Sequence, residues 1–176
     1  LVSIASDKEV SFTRLRVVYK HDKKYTKSLK EYRESLVRGL YNSMMGGRLD
    51  EISKQPDPPF VFAYSGYSGD VGDLDTYTSF AFIPEGKAPA ALEAVLTENR
   101  RVLLHGYTPG EFERAKKNLL EGAEKQFKEM DKSESGNLAM RYVYKYLKEI
   151  ATPSPDQTFD LYKKFLPTIQ LEEVNQ

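Results

Sequence analysis

The sequence predicts an α+β two-layer domain, a small and mainly antiparallel sheet packed against several helices. Three observations carry this reading. An early segment, Ser11 to Lys20, alternates apolar and polar residues. Two aromatic-rich segments, Phe60 to Tyr67 and Thr76 to Ile83, alternate again with only a short loop between them. The rest of the chain repeats its apolar residues at the 3.6-residue period of a helix, and three of these stretches open on a capping box. Strands and helices in separate runs of the chain are the pattern of an α+β domain.

The elements follow in order. In the first strand Leu15, Val17 and Tyr19 share one side, with Arg14 and Arg16 on the other, and His21-Asp22-Lys23-Lys24 reads as a polar turn. Ser28 and Glu31 form a capping box, because hydroxyl and carboxylate can each satisfy a backbone N–H that has no partner inside the helix. The helix they open carries Leu29, Tyr32, Leu36, Leu40 and Met44 as a stripe. Gly46-Gly47 should interrupt it, and Pro56, Pro58 and Pro59 should end any continuation. The loop from Ser68 to Asp75 has the Gly and Asp content of a turn, so its flanking strands are read as antiparallel neighbours.

Pro89 suits the first position of the next helix, whose apolar face is Leu92, Val95, Leu96, Val102 and Leu103. Gly106 should close it in the left-handed conformation. Thr108 and Glu111 open another helix, with Phe112, Ala115, Leu119, Phe127 and Met130 inward. A break is expected from Ser133 to Gly136, after which Leu138, Tyr142, Val143, Tyr146, Leu147 and Ile150 continue at helical spacing. Ser154 and Gln157 open a short helix with Phe159, Tyr162 and Phe165, and Leu171 to Gln176 reads as the start of one more. The chain starts without Met and stops inside that pattern, so both ends are expected to be cuts in a longer polypeptide.

Composition excludes some functions. Lys plus Arg (26) equals Asp plus Glu (26) in 176 residues, which gives no basic excess for phosphate contacts and argues against nucleic acid as a partner. There is no cysteine, hence no disulfide, no zinc thiolate and no cysteine nucleophile. No apolar run approaches the length of a membrane span.

The chemistry-bearing residues are few. His21 and His105 are 84 residues apart (105 − 21), and neither has a partner at H-x-x-H, H-E-x-x-H or H-x-x-E-H spacing. Those spacings matter because residues three or four apart share a helix face and can grip one ion. Asp70, Asp73 and Asp75 could offer oxygen to calcium, but the spacing is not that of an EF-hand, and turn chemistry explains them. Ser65 and Ser68 lack a G-x-S-x-G setting, and Gly46-Gly47-Arg48 is too short to cradle a phosphate. No catalytic, cofactor-binding or metal-binding residue is therefore assigned. Tyr142, Tyr144 and Tyr146 alternate within a helix and cannot all face one core; core filling explains most of the aromatic residues, and a boundary with another domain suits the rest.

In combination the motifs resemble a known family. Tyr32-Arg33-x-x-Leu36-Val37-x-x-Leu40-x-x-x-Met44-x-x-x-Arg48-Leu49-x-Glu51-Ile52, followed by Pro59-Phe60 and two aromatic strands, is similar to the second type of domain in the insulinase/pitrilysin zinc metallopeptidases. So is Leu92-x-Ala94-Val95-Leu96-x-Glu98-x-x-Arg101 running into His105-Gly106-Tyr107-Thr108-x-x-Glu111-Phe112-x-Arg114-Ala115-Lys116, and the opening Asp7-Lys8-Glu9 fits as well. The resemblance implies a LuxS/MPP-like metallohydrolase fold and a single inactive, C-terminal-type domain over residues 1–176. In this family homologous domains form two halves around a closed chamber. One domain carries H-x-x-E-H, whose Glu acts as base on a zinc-bound water, and domains without the motif wall the chamber. This sequence lacks the motif, so no catalytic residue carries over.

The function expected is thus a non-catalytic domain of a larger zinc-dependent endopeptidase, inactive by itself, that walls the substrate chamber and helps bind peptides. Zinc is expected in a separate domain of the parent. The partners are other domains of the same polypeptide and peptide substrates, and the isolated fragment is expected to pair with itself through the surface its neighbours would cover. For a bacterial parent the expected location is the periplasm or cell envelope. The alternative is a structural, non-enzymatic homologue, such as a partner subunit of a processing peptidase, or an independent binding module.

Overall fold

The computed structural model of the chain describes residues 9, 13–69, 74–132, 135–148 and 150–176. The expectations for Asp7-Lys8, Asp70, Asp73 and Ser133, and for the side chain of Leu138, fall outside those residues. The described elements are β1 (Thr13–Asp22), α1 (Leu29–Ser53), β2 (Phe62–Gly69), β3 (Leu74–Ile83), α2 (Ala88–His105), α3 (Pro109–Lys128), α4 (Ser135–Lys148), α5 (Pro155–Phe165) and α6 (Leu171–Val174), with short 3₁₀ turns at Met130–Lys132 and Leu166–Thr168. The α+β fold read from the sequence is the one observed.

The chain divides into two compact units. One comprises residues 1–21 and 45–104, the other residues 22–44 and 105–176. The first unit holds the sheet, ordered β1-β3-β2. The pairing of β2 with β3 is antiparallel, with Phe62 opposite Phe82 and Ser65 opposite Ser79. This register sorts the side chains, because successive residues of a strand point to opposite faces. Ala63, Ser65, Ala81 and Ser79 lie on one face and are buried. Phe62, Tyr64, Phe80 and Phe82 lie on the other, where Phe80 and Phe82 meet edge-on at 4.8 Å and the Arg14 guanidinium stands 5.3 Å from the Phe82 ring. Leu15 and Val17 are half-buried as expected, but Tyr19 is exposed, and His21 and Asp22 extend the strand instead of turning.

The helices of this unit are the last part of α1 and most of α2. Gly46-Gly47 does not break α1, which runs on to Ser53. Met45 and Leu49, both fully buried, flank the pair, and their burial outweighs the roughly 1 kcal/mol that each glycine costs a helix. Helix α2 buries Ala91, Val95, Glu98 and Val102. Leu96 and Leu103 were expected inward and are exposed, as is Leu104. The buried line runs at i, i+4, i+7 and i+11 from Ala91, a cleaner helical repeat than the leucines offered.

The second unit is helical. Its core includes Leu36, Leu40, Met44, Tyr107, Phe112, Ala115, Ile169 and Val174. Glu31 closes the cap of α1: its carboxylate accepts the N–H of Ser28 at 2.7 Å and of Lys27 at 2.8 Å, and its own N–H donates to the Ser28 hydroxyl. Leu29 is nevertheless exposed. Gly106 adopts φ +66° and stops α2, as expected. The capping box of Thr108 and Glu111 is present, with Pro109 at the first position of α3. That helix ends at Lys128, so Met130 falls in the following 3₁₀ turn and the break begins before Ser133. Ser154 donates its N–H to the Gln157 carboxamide at 3.1 Å, opening α5.

Two long-range clasps hold the end of the chain within this unit. Arg33 meets both carboxylate oxygens of Glu173, at 2.6 and 2.8 Å, and donates to the Thr168 carbonyl at 2.8 Å. Asn175 accepts the N–H of Tyr107 at 2.8 Å and donates to its carbonyl at 3.3 Å. A Cβ at Gly106 would sit 2.6 Å from the Asn175 side chain, so glycine there is required by crowding as well as by φ.

Candidate functional site

The residues weighed as ligands or nucleophiles are not gathered. His21 is half-buried at the end of β1, its ring edge-on to Tyr67 at 6.1 Å, and not a solvated turn residue. His105 is exposed in the last turn of α2. The two belong to different compact units. Asp75 lies in β3 opposite Gly69. Among the described residues no group of three His, Cys, Asp or Glu side chains stands close enough to share a metal ion.

Ser65 is committed to structure. Its hydroxyl donates to Ser79 at 2.7 Å, and the Asn99 amide group lies 3.1 Å from both hydroxyls and 2.9 Å from the Val95 carbonyl. Tyr77 donates to the Asn99 carbonyl oxygen at 2.5 Å. Asn99 thus ties α2 to the covered face of the sheet, both ends of its half-buried amide finding a partner. Nearby, Glu98 is 3% exposed and accepts from Arg48 at 3.0 Å and from Arg101 at 2.9 Å. Two guanidiniums around one buried carboxylate offset the cost of desolvating it. Neither cluster leaves a reactive atom open.

The second unit contains a cleft. It has a volume of about 590 Å³ and is lined by the start of α1 (Lys27, Ser28, Leu29, Tyr32), by Lys145 of α4, by Ala151, Thr152 and Pro153, and by Gln157, Asp160, Leu161 and Lys164 of α5. The Ala151 N–H donates to the Thr26 carbonyl at 2.8 Å and pins the segment before α5 to the segment before α1. The floor is apolar, and burial pushes the Tyr32 hydroxyl above its ordinary pKa. The rim is cationic. A second depression of about 450 Å³ shares Lys27 and is lined by Lys23, Lys24, Tyr25, Glu31, Glu34 and Arg38. Glu31 is committed there, because the Lys27 backbone N–H and then the Ser28 hydroxyl hold its carboxyl below the ordinary carboxylate range.

The apolar side chains of α4 are the third feature. Met140, Tyr142, Val143, Tyr144, Tyr146 and Leu147 of α4 are all exposed, Tyr146 by 85%. Core filling was expected for most of these aromatic residues, and the structure differs: no side chain of α4 that is described is buried.

No protein-family model matches the chain. In sequence it is similar to a zinc protease described as PQQL-like from Arabidopsis thaliana, 23% identical over 170 residues, which are 97% of this chain and 15% of that protein. In structure it is similar to the periplasmic protease PqqL from Escherichia coli, with a TM-score of 0.86, 15% identity, and coverage of 96% of this chain and 19% of that one. It is also similar to a predicted insulinase family protease from Yersinia pestis, with a TM-score of 0.80, 13% identity, and coverage of 96% and 37%. The chain thus spans about a seventh of the curated relative it matches. The resemblance read in the sequence is borne out, and the fold is that of a domain in insulinase-type proteases.

Proposed function

We propose that the chain is a non-catalytic domain of a larger zinc-dependent endopeptidase, one that walls the substrate chamber and contributes to binding peptides. The observation that carries the proposal is a pairing. The fold matches a portion of proteases several times longer, while the sequence has only two histidines, 84 residues apart (105 − 21). A zinc-bound water becomes a nucleophile near neutral pH only where three protein ligands fix the ion and leave one position open. The zinc of the parent then belongs to a separate domain, and the buried clusters at Ser65 and Glu98 serve the scaffold. For a bacterial parent the periplasm or cell envelope is the proposed location, supported by the likeness to a protease described as periplasmic.

The test is direct. The purified chain, supplied with zinc and quenched fluorogenic peptides, is expected to show no cleavage. The complete parent polypeptide is expected to cleave them and to lose activity on chelation. Cleavage by the chain alone that persists in chelator would overturn the reading.

A further inference from the structure

The cleft of the second unit combines an apolar lining with several lysines. Its apolar lining is Tyr32, Pro153 and Leu161 with the exposed Leu29 at the edge, and among the described lining residues Lys27, Lys145 and Lys164 stand against one carboxylate, Asp160. Asp160 is already engaged by Lys163 at 2.8 Å, so the rim keeps an excess of positive charge. The adjoining depression adds Lys23, Lys24 and Arg38 against Glu31 and Glu34. Such a concentration stands out in a chain whose 26 basic and 26 acidic residues cancel. The volume of about 590 Å³ lies within the roughly 300–1,000 Å³ typical of ligand sites.

From this we infer that the cleft binds an acidic peptide segment, with an apolar side chain seated on the floor and flanking Asp or Glu carboxylates on the lysine rim. A fixed apolar floor beneath mobile ammonium groups selects charge sign and one anchor residue, without demanding a particular sequence. The three lysines come from three elements, the segment before α1, α4 and α5. The choice of a peptide as occupant rests on the proposed function, whereas the preference for acid over base rests on the cleft alone.

The experiment uses the 176-residue chain and fluorescence anisotropy. The probes are two labelled hexapeptides, Asp-Glu-Leu-Phe-Glu-Asp and Lys-Lys-Leu-Phe-Lys-Lys. The acidic peptide should bind at least about tenfold more tightly, and raising salt from about 50 mM to about 500 mM should weaken it. The double variant Lys145→Glu/Lys164→Glu should lose about tenfold for the acidic peptide, as two partly exposed ion pairs allow. The control Lys54→Glu/Lys117→Glu, exposed lysines that do not line the cleft, should bind as the wild type. Circular dichroism melts of both variants establish that they fold. Equal binding of the two peptides, or an unchanged affinity in the cleft variant, would overturn the inference. So would displacement of the acidic peptide by decanoate at equal concentration, since the occupant would then be a small amphipathic carboxylate. Failure here leaves the chamber-wall reading intact, because that reading is decided by cleavage with and without zinc.

Discussion

Helices α1 and α4 carry apolar residues at the same spacing and meet opposite fates. In α1 the stripe Leu36, Leu40 and Met44 is buried, Leu40 completely, and in α4 every side chain of the corresponding stripe that is described is exposed. Periodicity states which face of a helix is apolar and is silent on what will cover it. The difference lies in partners supplied by the rest of the chain. The part of α1 in the second unit has neighbours there, the Tyr41 and Tyr107 rings meeting edge-on at 5.4 Å. The described residues supply no such cover for α4.

The contrast can be broken by truncation. Leu40→Ala removes a fully buried side chain and should cost about 2–5 kcal/mol, whereas Leu147→Ala, at a position 68% exposed, should stay within about 0.5 kcal/mol. Guanidinium unfolding of the two variants measures both, and equal losses would mean that α4 is covered in solution. Arg48→Ala should cost about 2 kcal/mol in the same assay, because it leaves the Glu98 carboxylate 3% exposed with one guanidinium instead of two.

A pH series sharpens the account of the α1 unit. Arg33, by its hydrogen bonds, holds the Glu173 carboxyl at about 2 against an ordinary 4.5. A depressed carboxylate contributes stability above its unfolded value and loses it as pH falls through the folded one. The stability of the chain should therefore decline between pH 4.5 and about 2, and Glu173→Gln should remove that part of the decline. With both side chains about a third exposed, solvent screening limits the contribution to about 1 kcal/mol. The smallest effect expected is a gain. A Cβ at Gly46 or Gly47 meets nothing within 4 Å, so Gly46→Ala and Gly47→Ala should each stabilise by about 0.5–1 kcal/mol. A loss at either position would point to a close neighbour outside this chain.

Much of the fold was legible because local rules governed it. The capping boxes at Ser28 and Thr108 and the left-handed Gly106 depend on residues three or four apart, and all are found. The errors came where tertiary burial decided the outcome. Gly46-Gly47 stays helical because Met45 and Leu49 are buried, and α2 turns Ala91 and Glu98 inward in place of Leu96 and Leu103. A glutamate inside a core is invisible to a hydrophobic pattern until its arginines are seen in space. The cleft was illegible for the same reason: Lys27, Lys145 and Lys164 are separated by up to 137 residues (164 − 27) and meet only through the fold.

The hold of Asn175 on Tyr107 makes one backbone amide a gauge of the whole terminal segment. The Tyr107 N–H is accepted by the Asn175 carboxamide, so it can exchange with deuterated solvent only when that side chain lets go. A single resonance in the α2–α3 junction thereby measures how often α6 undocks, and a bulky tag fused directly after Gln176 would announce itself there before it changed any melting temperature.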